Sequence, residues 1–183
     1  VVGSGPGYDE RPVFCRGSPD MIRLRSRSAE DTRAIGGVLA GVAGPGDLIL
    51  LTGDLGAGKT VLAKGFGAAL GITEPITSPT FTLVREYDSD PPLHHLDVYR
   101  LAGPGEVTDL DLPSLLDDGG ITLIEWGEIV RGAVPTDHLT VELDLAPPDD
   151  DPDTRIVLVS AVGGRWAARM NHLSGVLAPW VVS

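Results

Sequence analysis

Eight consecutive residues, Gly53-Asp54-Leu55-Gly56-Ala57-Gly58-Lys59-Thr60, match the spacing G-x-x-x-x-G-K-[ST]. Glycines in such a loop let backbone N–H groups approach phosphate oxygens, and a following helix aims its positive end at the same point. Lys59 is the compact cation that reaches toward the β- and γ-phosphates, and Thr60 offers a hydroxyl to magnesium. The chain has two lysines against twelve arginines, yet lysine stands at the position that needs it. All eight residues are therefore candidate ligands of a nucleoside triphosphate, and Lys59 is also a candidate catalytic residue.

A hydroxyl alone does not hold magnesium; a carboxylate is needed close by, usually at the end of a neighbouring apolar strand. Two positions qualify. Asp97 closes Leu93-His94-His95-Leu96-Asp97, and Glu125 closes Ile121-Thr122-Leu123-Ile124-Glu125. One would join Thr60 at the metal while the other orients or deprotonates the attacking water, and the sequence leaves that assignment open. Thr77-Ser78-Pro79-Thr80-Phe81 gathers three hydroxyls around a proline that keeps Ser78 extended. Ser78 and Thr80 are candidates for sensing the γ-phosphate, and Trp126, next to Glu125, is a candidate nucleotide contact. His94 and His95 point to opposite faces of a strand, so one is expected to be packed and the other exposed.

These groups need a scaffold. Asp47 to Thr52 is a continuous apolar run of the kind buried on both sheet faces, and the glycine loop after it leads into a helix ending near Gly71. Strand, glycine loop and helix open an α/β fold. Upstream, Ile22 to Arg25 reads as a short strand whose Arg23, Arg25 and Arg27 face solvent. Ser28 with Asp31 three residues on resembles a capping box, opening a helix through Thr32, Ile35, Val38 and Leu39. The pair Gly36 and Gly37 weakens that helix. Phe81 to Tyr87 and Leu93 to Tyr99 flank the turn Asp88 to Pro92 and predict a hairpin, hence an antiparallel part of the sheet. Ile121 to Glu125, Leu139 to Leu145 and Arg155 to Val162 predict three more strands. Trp166 to Leu177 predicts a closing helix, and the acidic loop Asp149 to Asp153 reads as solvated surface.

With 183 residues, 42% of them hydrophobic, the chain suits one sizeable core rather than two. Residues 1 to 20, rich in Gly and Pro, are expected to be a disordered lead, with one ordered domain over residues 21 to 183 starting near Met21. No stretch reaches the roughly 18 apolar residues of a membrane span, and no signal peptide pattern opens the chain. Cys15 is the single cysteine, which excludes an intrachain disulfide and a cysteine metal cluster and fits a cytoplasmic setting. No membrane contact is expected, and a net charge of -12 speaks against direct tRNA contact, because affinity for a phosphate backbone comes from Lys and Arg.

Taken together, four blocks resemble the TsaE (YjeE) family, the ATPase component of bacterial threonylcarbamoyladenosine tRNA modification. They are the glycine loop 53 to 60, Ser78-Pro79-Thr80-Phe81-Thr82-Leu83-Val84 with Tyr87, His95-Leu96-Asp97-Val98-Tyr99-Arg100-Leu101, and Glu125-Trp126. The resemblance runs from about Ser28 to Val162. It implies a single P-loop NTPase-like α/β domain with a mixed, partly antiparallel sheet flanked by helices, hydrolysis of ATP with Mg2+, and partnership with TsaB and TsaD. It also implies that Thr60 and Glu125 ligate magnesium, that Asp97 is needed for hydrolysis, and that the Ser78-Pro79-Thr80 loop is a switch.

Two rivals share the motifs. A small-molecule kinase would need a basic lid, whereas Arg85, Arg100 and Arg131 are scattered singly. A nucleotide-dependent switch module with little turnover has the same residues and differs only in rate. A GTPase reading lacks the N-K-x-D sequence that reads guanine.

Overall fold

The computed structural model describes residues 21–101 and 112–182. The expected lead over residues 1 to 20 lies outside the described residues. Those residues form one seven-stranded sheet in the order β1-β7-β6-β2-β5-β4-β3. In chain order the elements are β1 (Met21–Ser26), α1 (Ala29–Val42), β2 (Leu48–Thr52), α2 (Lys59–Ala69), β3 (Val84–Tyr87), β4 (Leu93–Asp97), α3 (Leu112–Asp117), β5 (Ile121–Glu125), β6 (His138–Leu145), β7 (Arg155–Val162), α4 (Gly164–Ala167) and α5 (Met170–Val176).

The middle of the sheet is parallel: β2 pairs with β5 and β6, and β4 pairs with β5. Antiparallel strands close both sides, β7 and β1 beyond β6 and β3 beyond β4. All five residues of β2 are buried, as the unbroken apolar run requires. Alternation then divides them. Ile49 and Leu51 enter the larger core with α1 and α2, while Leu48 and Leu50 enter a smaller one with Leu96, Val98, Ile124 and Val130.

Helix α1 starts where the capping pattern predicts it, with the Asp31 N–H donating to Ser28 Oγ at 3.1 Å. The Asp31 carboxylate reaches one residue further back and accepts from the Arg27 N–H at 2.8 Å. Gly36, which counts against a helix by propensity, is buried where α1 crosses α2: a Cβ there would lie 2.2 Å from the Leu62 carbonyl oxygen. A Cβ on Gly65 of α2 would lie 1.9 Å from the Arg33 carbonyl oxygen. The close crossing outweighs the roughly 1 kcal/mol that each glycine costs in a helix, and it braces the helix carrying Lys59 and Thr60.

The structure corrects four expectations. The first hairpin strand begins at Val84 rather than Phe81, because residues 79 to 83 turn back on themselves: the Leu83 N–H donates to the Pro79 carbonyl at 2.7 Å, with Leu83 at φ 65°. The closing helix is broken between Ala167 and Met170, where the Arg169 N–H bonds three residues back to Trp166 O at 2.9 Å. His94 and His95 are both buried, since β4 lies inside the sheet with both faces covered. The acidic loop is exposed as expected except at Asp150, which is half-buried and accepts from Arg25. Helix α3 is an element that the sequence reading did not anticipate.

Candidate functional site

Parallel strands that end together place their last residues at one edge, and open α/β sheets bind ligands there. Leu51 of β2 stands opposite Glu125 of β5, which stands opposite Asp97 of β4. The two carboxylates and the start of the glycine loop are thus neighbours by register alone. Glycine is required in the loop: Gly53 and Gly58 have φ of 125° and 110°, and a Cβ on Gly53 would lie 2.1 Å from the Leu143 carbonyl oxygen. A cleft of about 440 Å³ opens over this edge, lined by Leu55, Gly56, Gly58, Lys59, Thr60, Ser78, Thr80, Asp97, Tyr99, Glu125 and Trp126, with Val61 at its wall.

The hydrogen bonds divide the cleft into two linked clusters. In the first, Thr60 Oγ1 donates to Glu125 Oε2 at 2.8 Å, and His95 Nε2 donates to Glu125 Oε1 at 2.9 Å. In the second, Asp97 Oδ2 accepts from Ser78 and from Thr80 Oγ1, the latter at 2.7 Å, and Asp97 Oδ1 accepts from the Tyr99 N–H at 3.1 Å. The hydroxyl loop and the β4 carboxylate therefore act as one unit. Lys59 Nζ donates to the carbonyls of Gly53 (2.6 Å) and Asp54 (3.0 Å) and lies 3.6 Å from the centre of the Trp126 ring, which packs on Tyr99.

Burial pushes the Lys59 ammonium below the ordinary lysine range, while the carboxylates of Glu128, Glu125, Asp97 and Asp54 oppose that shift. Glu128 is exposed at the surface, yet the protein atoms packed around its carboxyl strip away enough water to push it above the ordinary carboxylate range. Trp126 adopts φ 62°, so non-glycine residues in left-handed backbone follow both Glu125 and the hydroxyl loop. Such conformations cost on the order of 1–3 kcal/mol each and tend to gather at functional sites.

Every candidate site residue named from the sequence lines this cleft except Ala57, which is buried behind the loop, and Gly53 and Asp54, whose carbonyls face Lys59. His95 and Tyr99 were not singled out as site residues. Residues 95, 97 and 99 alternate on one strand and its continuation, which is the signal that links them to Asp97. A magnesium ion prefers oxygen donors and keeps several waters or phosphate oxygens. The adjacent Thr60 hydroxyl and Glu125 carboxylate, with Asp97 on the next strand, fit that preference.

The chain is similar to known proteins over most of its length. A family model described as "Threonylcarbamoyl adenosine biosynthesis protein TsaE" matches residues 26–154. The tRNA threonylcarbamoyladenosine biosynthesis protein TsaE of Bacillus subtilis is 39% identical over 155 residues, covering 84% of this chain and 94% of that one. Its counterpart in Streptomyces coelicolor is 42% identical over 148 residues, covering 78% and 99%. The crystal structure of YdiB from Bacillus subtilis superposes with a TM-score of 0.70 at 34% identity, covering 87% of this chain and 95% of that one. The chain belongs to the TsaE family of tRNA threonylcarbamoyladenosine biosynthesis proteins.

Proposed function

We propose that the protein is a cytoplasmic ATPase that hydrolyses ATP with magnesium and supports threonylcarbamoyladenosine modification of tRNA through partners of the TsaB and TsaD type. One observation carries the reading: Lys59, the Thr60–Glu125 contact and the Asp97–Ser78–Thr80 cluster share a single cleft at the carboxyl ends of the parallel strands. Loop N–H groups and Lys59 would hold the phosphates. Thr60 and Glu125, with Asp97 near, would hold magnesium, which neutralises charge on the phosphate oxygens. Asp97 would orient the attacking water, and His95 keeps the Glu125 carboxylate turned toward Thr60.

The same contacts favour slow turnover in isolation. Asp97 Oδ2 is taken up by Ser78 and Thr80 while Oδ1 accepts from the Tyr99 N–H alone, so a shift of the Ser78–Thr80 loop would free the second oxygen and change how the carboxylate faces a water. A partner that moves this loop would set the rate. Leu55 and Tyr99, which line the cleft, are 80% and 53% exposed, and Phe81, next to Thr80 in the chain, is 85% exposed, which gives such a partner apolar side chains to cover. Among the described residues no helix is long and apolar enough to cross a membrane.

The test is phosphate release with ATP and with GTP, with and without TsaB and TsaD. Slow release from ATP that changes at saturating partner is the expected result. An unchanged rate would remove the coupling, and undetectable turnover with tight binding would favour the switch module.

A further inference from the structure

Arg155 opens β7 and reaches a loop 98 residues earlier: its Nε–H donates to the Ala57 carbonyl at 3.2 Å. Its Nη1 donates to the carbonyls of Pro152 (2.7 Å) and Thr154 (2.8 Å). In a trans peptide the C=O and the next N–H point in opposite directions. A carbonyl turned toward Arg155 therefore turns the Gly58 N–H away from it, and Gly58 lines the cleft. Gly58, at φ 110°, is also where loop becomes helix, and glycine leaves a peptide free to flip. Some contact has to select the orientation.

We infer that Arg155 is a positioning residue for nucleotide binding: it fixes the Ala57–Gly58 peptide so that the Gly58 N–H is aimed into the phosphate cleft. The inference rests on the nucleotide-binding reading above. It also gives the acidic turn at 149 to 153 a role. Its chain is folded by the Asp150 N–H on Pro147 O and the Thr154 N–H on Asp151 O, both at 2.9 Å, and is tied to β1 through Arg25 and Asp150. So held, it presents two carbonyls to the Arg155 guanidinium and leaves Nε–H for the loop.

The experiment measures affinity for MgADP and MgATP, together with kcat and KM, in Arg155→Ala, Arg155→Lys and, as a control, Lys59→Ala. Arg155→Ala is expected to weaken both nucleotides about tenfold, the scale of one lost charge-assisted hydrogen bond. KM should rise while kcat stays within about twofold, and lysine should restore part of the affinity. Wild-type affinity in a folded Arg155→Ala protein would overturn the inference, as would an equal fall in affinity and kcat with a lower melting temperature. If Lys59→Ala also binds normally, the nucleotide reading itself fails. Should Arg155→Ala not fold, the Arg155 Nε–H resonance of the wild-type protein decides: a shift on adding MgADP supports the inference, and an unchanged resonance contradicts it.

Discussion

Asp47 at the amino end of β2 and the pair Asp97 and Glu125 at the carboxyl ends of β4 and β5 are equally buried, at 2%, 3% and 2% exposure. Their partners differ in kind. Asp47 takes a two-pronged guanidinium from Arg169, at 2.6 and 2.8 Å, plus the Gly44 N–H at 2.8 Å, and Arg165 lies 3.4 Å away. Among the described residues neither Asp97 nor Glu125 forms an ion pair with lysine or arginine; hydroxyls, an imidazole and one backbone N–H hold them instead. A buried carboxylate with a built-in cation fastens structure, and one held only by neutral or weakly basic donors is left to meet a cation from outside.

The largest effect should come from breaking the fastened end. Asp47→Ala strips Arg169 of its partner beside a buried strand and should cost about 3 kcal/mol of stability, read by urea unfolding. Glu125→Gln, at equal burial, should change stability by less than about 1 kcal/mol. Equal losses would erase the distinction between the two ends.

Turnover should show the reverse ranking. Asp97→Asn and Glu125→Gln should each lower kcat about a hundredfold or more, as expected for a lost base or metal-side carboxylate, while Asp47→Asn should leave kcat of the folded fraction nearly unchanged. Steady-state phosphate release checks this. Normal turnover in both site variants would refute the carboxylate assignment.

A smaller effect concerns Glu128, beside Lys59. Its folded pKa lies above the ordinary 4.5, so the folded chain holds more protons than the unfolded chain between 4.5 and the raised value. Its contribution is therefore most favourable below 4.5 and is lost as pH rises through the raised value. Glu128→Gln should remove that limb of the stability profile and raise stability at pH 7 by about 0.5 kcal/mol, a modest figure because solvent screens the group. Thermal melting from pH 4 to 8 measures it.

Much of the candidate site could be read from local pattern. Lys59 and Thr60 follow from spacing, and Asp97 and Glu125 from their places at the ends of apolar runs. What stayed hidden depends on register or distant approach. His95 meets Glu125 only because β4 pairs with β5 in one register, which no local pattern encodes. Gly36 looked like a weakness because its partner, Leu62 of the next helix, is invisible along the chain. Asp150 looked solvated because Arg25 lies 125 residues away in sequence. The break at Arg169 follows a guanidinium drawn toward Asp47 and across the Trp166 ring, a tertiary demand that helix propensity does not contain.

On the proposed function, Thr60 and Glu125 form the cation position of a nucleotide site. This assignment is tested most directly by titrating a non-hydrolysable ATP analogue into wild-type and Glu125→Gln protein at increasing magnesium concentration. Magnesium should strengthen wild-type binding by about tenfold or more, and that gain should largely disappear in the variant, with magnesium-free affinity little changed. An identical magnesium dependence in both proteins would contradict it.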